Sequence, residues 1–223
     1  MNEWLSEQRQ PIFVLLLGSY DPETKVLMDA VKRGIAENFG GQGIFPFLLE
    51  ELEVYRYDNY FMLVERWSDR VASLYIFTHQ GLLEETHELQ LKDGNLHQAV
   101  LDLLREKYGF NYAERMPVLE KLATVAKTFP AILLIRDREE TRGGELIELT
   151  YCIMIGTPVE RIRLFYRSNV VISQMVMEIL DASGIITRPY NSETELITSV
   201  IRFLYYKIIK AGTDESLSSK KDD

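Results

Sequence analysis

The run Ile12-Phe13-Val14-Leu15-Leu16-Leu17 is apolar at every position rather than at every second one. A strand of that kind must be covered on both faces, as inside a parallel sheet flanked by helices. The next residues agree with this. Gly18-Ser19-Tyr20 makes a turn, Asp21 is an N-cap residue with Pro22 at the first helical position, and Val26, Leu27, Ala30, Val31 and Ile35 supply an apolar stripe. The alternation recurs down the chain, which predicts an α/β fold: a mostly parallel five-stranded sheet with helices on both faces, Rossmann or flavodoxin-like.

Glycines at 40, 41 and 43 end the first helix, and Ile44 to Leu49 reads as the second strand, although Pro46 would be awkward at the centre of a sheet. Tyr57, Tyr60, Phe61, Val64 and Trp67 fall at helical spacing and predict a helix stopping at Ser68-Asp69, before a strand from Val71 to Phe77. Leu96 to Tyr108 and Pro117 to Thr128 read as an inserted helical pair, placed at about 92–129. Ala131 to Ile135 then restarts the sheet. A helix from Gly144 to Ile155, a strand from Ile162 to Tyr166, a helix from Val170 to Leu180 and a short strand from Ile185 to Thr187 come next, and Ser192 caps a closing helix through Leu204. One domain is expected over 11–211, with a polar segment 1–10 before it and a disordered Ser/Lys/Asp-rich tail over 212–223.

The chain has 223 residues, and Lys+Arg 25 against Asp+Glu 34 gives a net charge of -9. A nucleic-acid backbone is repelled by such a surface on average, so nucleic acid is not the expected partner. The apolar run at Ile12 is too short for a signal-peptide core or a membrane span, and a cytoplasmic protein with no membrane partner is expected. Cys152 is the single cysteine, embedded among Leu149, Tyr151, Ile153 and Met154, and is expected to be a packing residue in a reducing compartment. His79, His87 and His97 lack metal spacing, so neither a metal nor a cofactor is expected. The Walker lysine motif and the dinucleotide fingerprint are both absent.

Two glycine-to-glutamate steps come after strand-like runs: Gly81 with Glu85, and Gly144 with Glu148, each glutamate expected on a helix. Loops at the carboxyl ends of parallel strands converge at one sheet edge, where helix N-termini offer free N–H groups to a phosphate or carboxylate. Gly18, Ser19, Tyr20, Asp21, His79, Gly81, Gly144 and Glu145 are therefore the expected ligand-binding set, and the Gly18-Ser19 turn is expected to let the backbone approach a ligand closely. Crowding of Glu84, Glu85, Glu145 and Glu148 at that edge would raise some of their pKa values. A glutamate near the start of a helix is also favoured by the helix dipole alone, without any chemistry.

Leu17-Gly18-Ser19-Tyr20 and Gly144-Glu145-Leu146-Ile147-Glu148-Leu149-Thr150-Tyr151 resemble segments of the nucleoside 2-deoxyribosyltransferase-like superfamily, which is related in architecture to nucleotide N-glycosidases and TIR-type domains. That resemblance implies a first-strand turn near a nucleotide and a catalytic glutamate in a Gly-Thr-x-x-Glu-x-Gly motif. Gly144 matches the motif glycine and Glu148 the nucleophile, whereas Glu145 stands at the threonine position and Thr150 at the second glycine. Gly81 and Glu85 offer a second copy, with Leu82 and His87 at those positions.

The implied activity is cleavage or transfer at an N-glycosidic bond of a small nucleotide or nucleoside. A carboxylate, Glu148 or Glu85, would attack or stabilise the anomeric carbon, and Asp137, Glu84 or Asp21 could serve as the second acid. The alternative is a non-catalytic nucleotide-sensing or protein-interaction module of the same fold, acting as a homodimer.

Overall fold

The computed structural model describes residues 11–218 other than 20, 40, 79 and 139–143, with side chains as far as 207. The apolar run at the start forms β1 (Ile12–Gly18), and Asp21 caps α1 (Pro22–Phe39) by accepting from the Glu23 and Thr24 amides at 3.1 and 3.0 Å. β2 (Ile44–Leu48) pairs parallel with β1 and lies at the sheet edge, which explains how Pro46 is tolerated.

After a 3-10 turn at Leu49–Glu51 the chain leaves this sheet and builds a second one. β3 (Leu52–Tyr57), β4 (Tyr60–Arg66), β5 (Val71–Thr78) and β6 (Leu83–Gln90) form an antiparallel meander, and α2 (Leu96–Tyr108) comes after it. β7 (Glu114–Arg115) adds to the outer side of β3, and α3 (Val118–Thr128) leads back to the first sheet. There β8 (Ala131–Arg136), α4 (Gly144–Met154), β9 (Ile162–Arg167), α5 (Gln174–Ser183), β10 (Ile186–Tyr190) and α6 (Glu193–Ser218) complete the fold.

The first sheet has the order β10-β9-β8-β1-β2 and is parallel throughout; the second has the order β6-β5-β4-β3-β7. Side chains of β1 divide between two cores as a two-residue period requires. Val14 and Leu16 face Leu27, Val31 and Ile35 of α1 and Leu196, Val200 and Leu204 of α6. Phe13, Leu15 and Leu17 face the second sheet together with α3, α4 and α5. Phe13 is the hub of this second interface, its ring centroid 5.1 Å from Phe77, 5.4 Å from Phe129 and 5.7 Å from Phe47. The far side of the second sheet, with Met62, Val64, Leu74 and Ile76, is covered by Leu96, Val100 and Leu104 of α2.

The structure corrects several sequence expectations. The segment 57–67 is a hairpin and not a helix: Tyr57 pairs with Tyr60 around Asp58, whose φ of 48° lies in the left-handed region that Asp enters more readily than most residues. The strand at Val71–Thr78 belongs to the antiparallel sheet, not the parallel one. Glu84 and Glu85 lie on strand β6, not on a helix. The inserted pair of helices is present, with β7 between them, but the whole departure from the parallel sheet runs from 49 to 128. α5 begins at Gln174, after its Ser173 cap, rather than at Val170, and α6 continues to Ser218, into the stretch whose composition predicts a disordered tail.

Candidate functional site

The carboxyl ends of the parallel strands bring together Gly18 of β1, Arg136 to Arg138 at the end of β8, Arg167 of β9 and Tyr190 of β10. Asp137 is the centre of this group and is buried, with 7% exposure. Its Oδ1 accepts from Arg167 Nε at 2.7 Å and from the Tyr190 hydroxyl at 2.9 Å, while Arg138 Nε lies 3.9 Å from Oδ2. Burial and then the charge of Asp137 push the Tyr190 phenol far above its usual range, so it stays a hydrogen-bond donor. The hydrogen bond to Asp137 likewise raises the pKa of Arg167, against the opposing effect of burial.

Arg138 also pairs with Glu23 on the first turn of α1. It therefore bridges the β8 and β1 sides of the sheet edge. Asp21 stands beside this bridge with Oδ2 accepting from the Thr24 hydroxyl at 2.7 Å. Desolvation raises its pKa, but the Thr24 amide and hydroxyl, the Ser19 hydroxyl and the charge of Arg138 outweigh that and hold it below the usual carboxylate value.

α4 starts beside the end of β8. Glu145 on its first turn is fully buried and paired with Arg136, itself 7% exposed, so its charge is neutralised inside the protein rather than presented to a ligand. This corrects the expectation that Glu145 lines the site. Glu148, one turn further, is half-buried. Its charge acts on Cys152 and on Lys121 of α3, whose Nζ donates to the Leu49 and Leu52 carbonyls at 2.8 and 2.9 Å, just past the carboxyl end of β2. Burial, and then Glu148, push the Cys152 thiol up to about 12, which keeps it protonated and unreactive.

The glycines divide by function. A Cβ at Gly18 would lie 2.6 Å from Met28 Sδ and 3.1 Å from the Ile135 carbonyl oxygen, so the missing side chain there serves the packing of α1 on the sheet and not the expected approach of a ligand. A Cβ at Gly144 would meet no described atom within 4 Å. Gly81 has a φ of 83° and turns the β5–β6 hairpin, its amide donating to the Thr78 carbonyl at 2.9 Å.

Glu85 is not part of the parallel-sheet edge. It pairs with Ile76 across β5–β6 and lies 2.7 Å from His87 Nε2 and 3.9 Å from Lys107 Nζ of α2. A hydrogen bond from Tyr108, with His87 and Lys107, lowers its pKa, the reverse of the rise expected from glutamate crowding. Tyr20 and His79 lie outside the described residues. Arg167 and Tyr190 are not apparent as site residues in the sequence; the available cue is that each ends a strand of the parallel sheet.

The sequence matches no protein-family model and no curated protein. Among the described residues no helix is long and apolar enough to cross a membrane.

Proposed function

We propose that this chain binds a nucleoside or nucleotide at the crevice between the carboxyl ends of β1 and β8, and that Glu148 acts there on the N-glycosidic bond. The observation that carries this reading is the strand order. Numbering only the parallel strands, it runs 2-1-3-4-5, a doubly wound, flavodoxin-like order whose direction of winding reverses between β1 and β8. Ligands of open α/β sheets bind at that reversal, outside the carboxyl ends. Here it is flanked by Ser19 and Asp21 on one side and Asp137 on the other, with Arg138 bridging to Glu23.

Asp137 is oriented by Arg167 and Tyr190 to accept from a sugar hydroxyl with its remaining lone pairs. Arg138, held between Glu23 and Asp137, suits a phosphate. No described atom crowds Gly144, which leaves the start of α4 approachable by a ligand on that side. In the reaction a Glu148 oxygen bonds to the anomeric carbon, and the bond to the base nitrogen breaks with its electron pair leaving on the base, which takes up a proton. Water then displaces the carboxylate, or a second base does so in transfer. We place this activity in the cytoplasm, where the lone buried thiol stays reduced.

The test is incubation of purified protein with NAD, nucleoside monophosphates and deoxynucleosides, and then chromatography for free base. Release by the wild type, reduced at least about 100-fold in Glu148→Gln and retained in Glu85→Gln, is expected. No release by the wild type, or equal release by Glu148→Gln, would sink the catalytic reading. A thermal shift with a nucleotide but no turnover would leave a binding module at the same crevice.

A further inference from the structure

A second concave site lies on the sheet face covered by α6, on the far side of β9 from the β1–β8 crevice. It is a cavity of about 510 Å³ between β9, β10 and the helix. Three guanidinium groups line it: Arg163 of β9, Arg188 of β10 and Arg202 of α6. Ile186 pairs with Arg163 and Arg188 with Phe165, and residues paired across parallel strands project to the same face, so Arg163 and Arg188 are on the side where α6 packs.

Among the described residues none of these three arginines forms an ion pair with a carboxylate. That is unusual in a chain of net charge -9. Among the described residues Glu195 is the one carboxylate lining the cavity, and its Oε2 accepts from the Asn191 amide at 2.8 Å and from Asn191 Nδ2 at 3.1 Å, just ahead of α6. Arg163 is oriented in advance. Its Cζ lies 4.6 Å from the centroid of the Phe203 ring and one of its terminal nitrogens donates to the Ile162 carbonyl at 2.8 Å. Burial, and then the neighbouring charge of Arg188, lower its pKa, yet a guanidinium remains charged at any physiological pH. Like charges gathered without partners cost energy unless an anion joins them.

We propose that this cavity binds a ligand bearing two adjacent phosphate groups, held between Arg163, Arg188 and Arg202. Guanidinium groups match phosphate oxygens in paired N–H···O bonds, and three of them neutralise most of a diphosphate. The cavity volume is that of a small-molecule site and exceeds what one phosphate fills. Exposed Tyr206 on its rim offers an aromatic face to an organic group attached to the diphosphate. The site is separate from the crevice proposed for N-glycosidic chemistry and does not depend on that reading.

Isothermal titration at low salt with inorganic pyrophosphate and with ADP tests this. Saturable binding is expected, weakened about tenfold or more by Arg188→Gln and by Arg202→Gln, which alter exposed side chains and leave the melting temperature nearly unchanged. Arg163→Lys should also weaken binding, because it keeps the charge and loses the planar stacked fork. Tighter binding of ADP than of pyrophosphate, lost in Tyr206→Ala, assigns an organic diphosphate; equal affinities assign an inorganic phosphate chain. A wild type that binds neither probe overturns the proposal. So does binding that the Arg188→Gln/Arg202→Gln double variant leaves unchanged, since the ligand then sits elsewhere, as ADP at the carboxyl edge would. Poly-glutamate bound in place of both probes, and lost in the same variants, overturns it too.

Discussion

The Tyr190 hydroxyl reaches Asp137 at 2.9 Å across an entire intervening strand, joining β10 to the end of β8 over β9. With Arg167 of β9 on the same oxygen, three successive strand ends are tied at one atom. Tyr190→Phe removes one of the two bonds and leaves no buried donor behind, and is expected to cost about 1 kcal/mol. Asp137→Ala orphans the buried hydroxyl and takes the partner from Arg167, and is expected to cost about 2–3 kcal/mol. Urea unfolding monitored by fluorescence gives both values; equal costs would show that the shared carboxylate is not the point of attachment.

The Arg136–Glu145 pair holds the start of α4 to the end of β8 without solvent access. Glu145→Leu takes this carboxylate away from a buried guanidinium and is expected to cost about 3–5 kcal/mol. The double variant Arg136→Met/Glu145→Leu, apolar on both sides, should recover most of that loss. A double-mutant cycle in urea measures the difference.

Gly18 and Gly144 should respond oppositely to alanine. At Gly18 the new methyl group meets Met28 Sδ and a fixed carbonyl, and a destabilisation of about 1–3 kcal/mol is expected, reduced when Met28→Ala is combined with it. At Gly144 no described atom lies within 4 Å of the new methyl group and the residue is already helical, so alanine should leave the melting temperature unchanged or raise it slightly. If the crevice takes a ligand that approaches the start of α4, the same Gly144→Ala weakens its binding while the fold is unharmed. Calorimetric melting and titration separate the two effects.

Asp21 is held ionised below its usual range, so the stability it adds is complete above about pH 4 and is lost as pH falls through the lowered folded value. Asp21→Asn keeps a capping acceptor but cannot titrate. The gap between wild type and variant should therefore narrow as the pH is taken from 7 to 2, with urea midpoints as the readout. Asp21→Ala, which removes the cap, is expected to cost about 0.5–2 kcal/mol at neutral pH.

The parallel half of the fold is legible in the sequence because its signals are local. β1 is apolar throughout, Asp21-Pro22 opens a helix, and Ser192 with Glu195 opens another. The antiparallel half is not, because its strands are buried on both faces: Phe61 and Leu63 point to one core, Met62 and Val64 to another. Alternation vanishes under those conditions, and Tyr57, Tyr60, Phe61, Val64 and Trp67 imitate a helical stripe. β6 misleads for the opposite reason, as its largely exposed Glu-rich sequence has no buried stripe and resembles a solvated helix. At the site, Asp137 stands out because it comes directly after an obvious strand. Its partners lie 30 and 53 residues away, on strands whose alignment beside it is a property of the assembled sheet and not of any local sequence window.

Both outer strands of the parallel sheet carry a proline, Pro46 in β2 and Pro189 in β10. Proline has no amide hydrogen to offer, and Arg188 adds a charge at the β10 border. Neither border is therefore a template on which another chain could extend the sheet, so filament growth by strand addition is blocked at both ends. A second copy of this protein would have to associate elsewhere than along the borders of the parallel sheet.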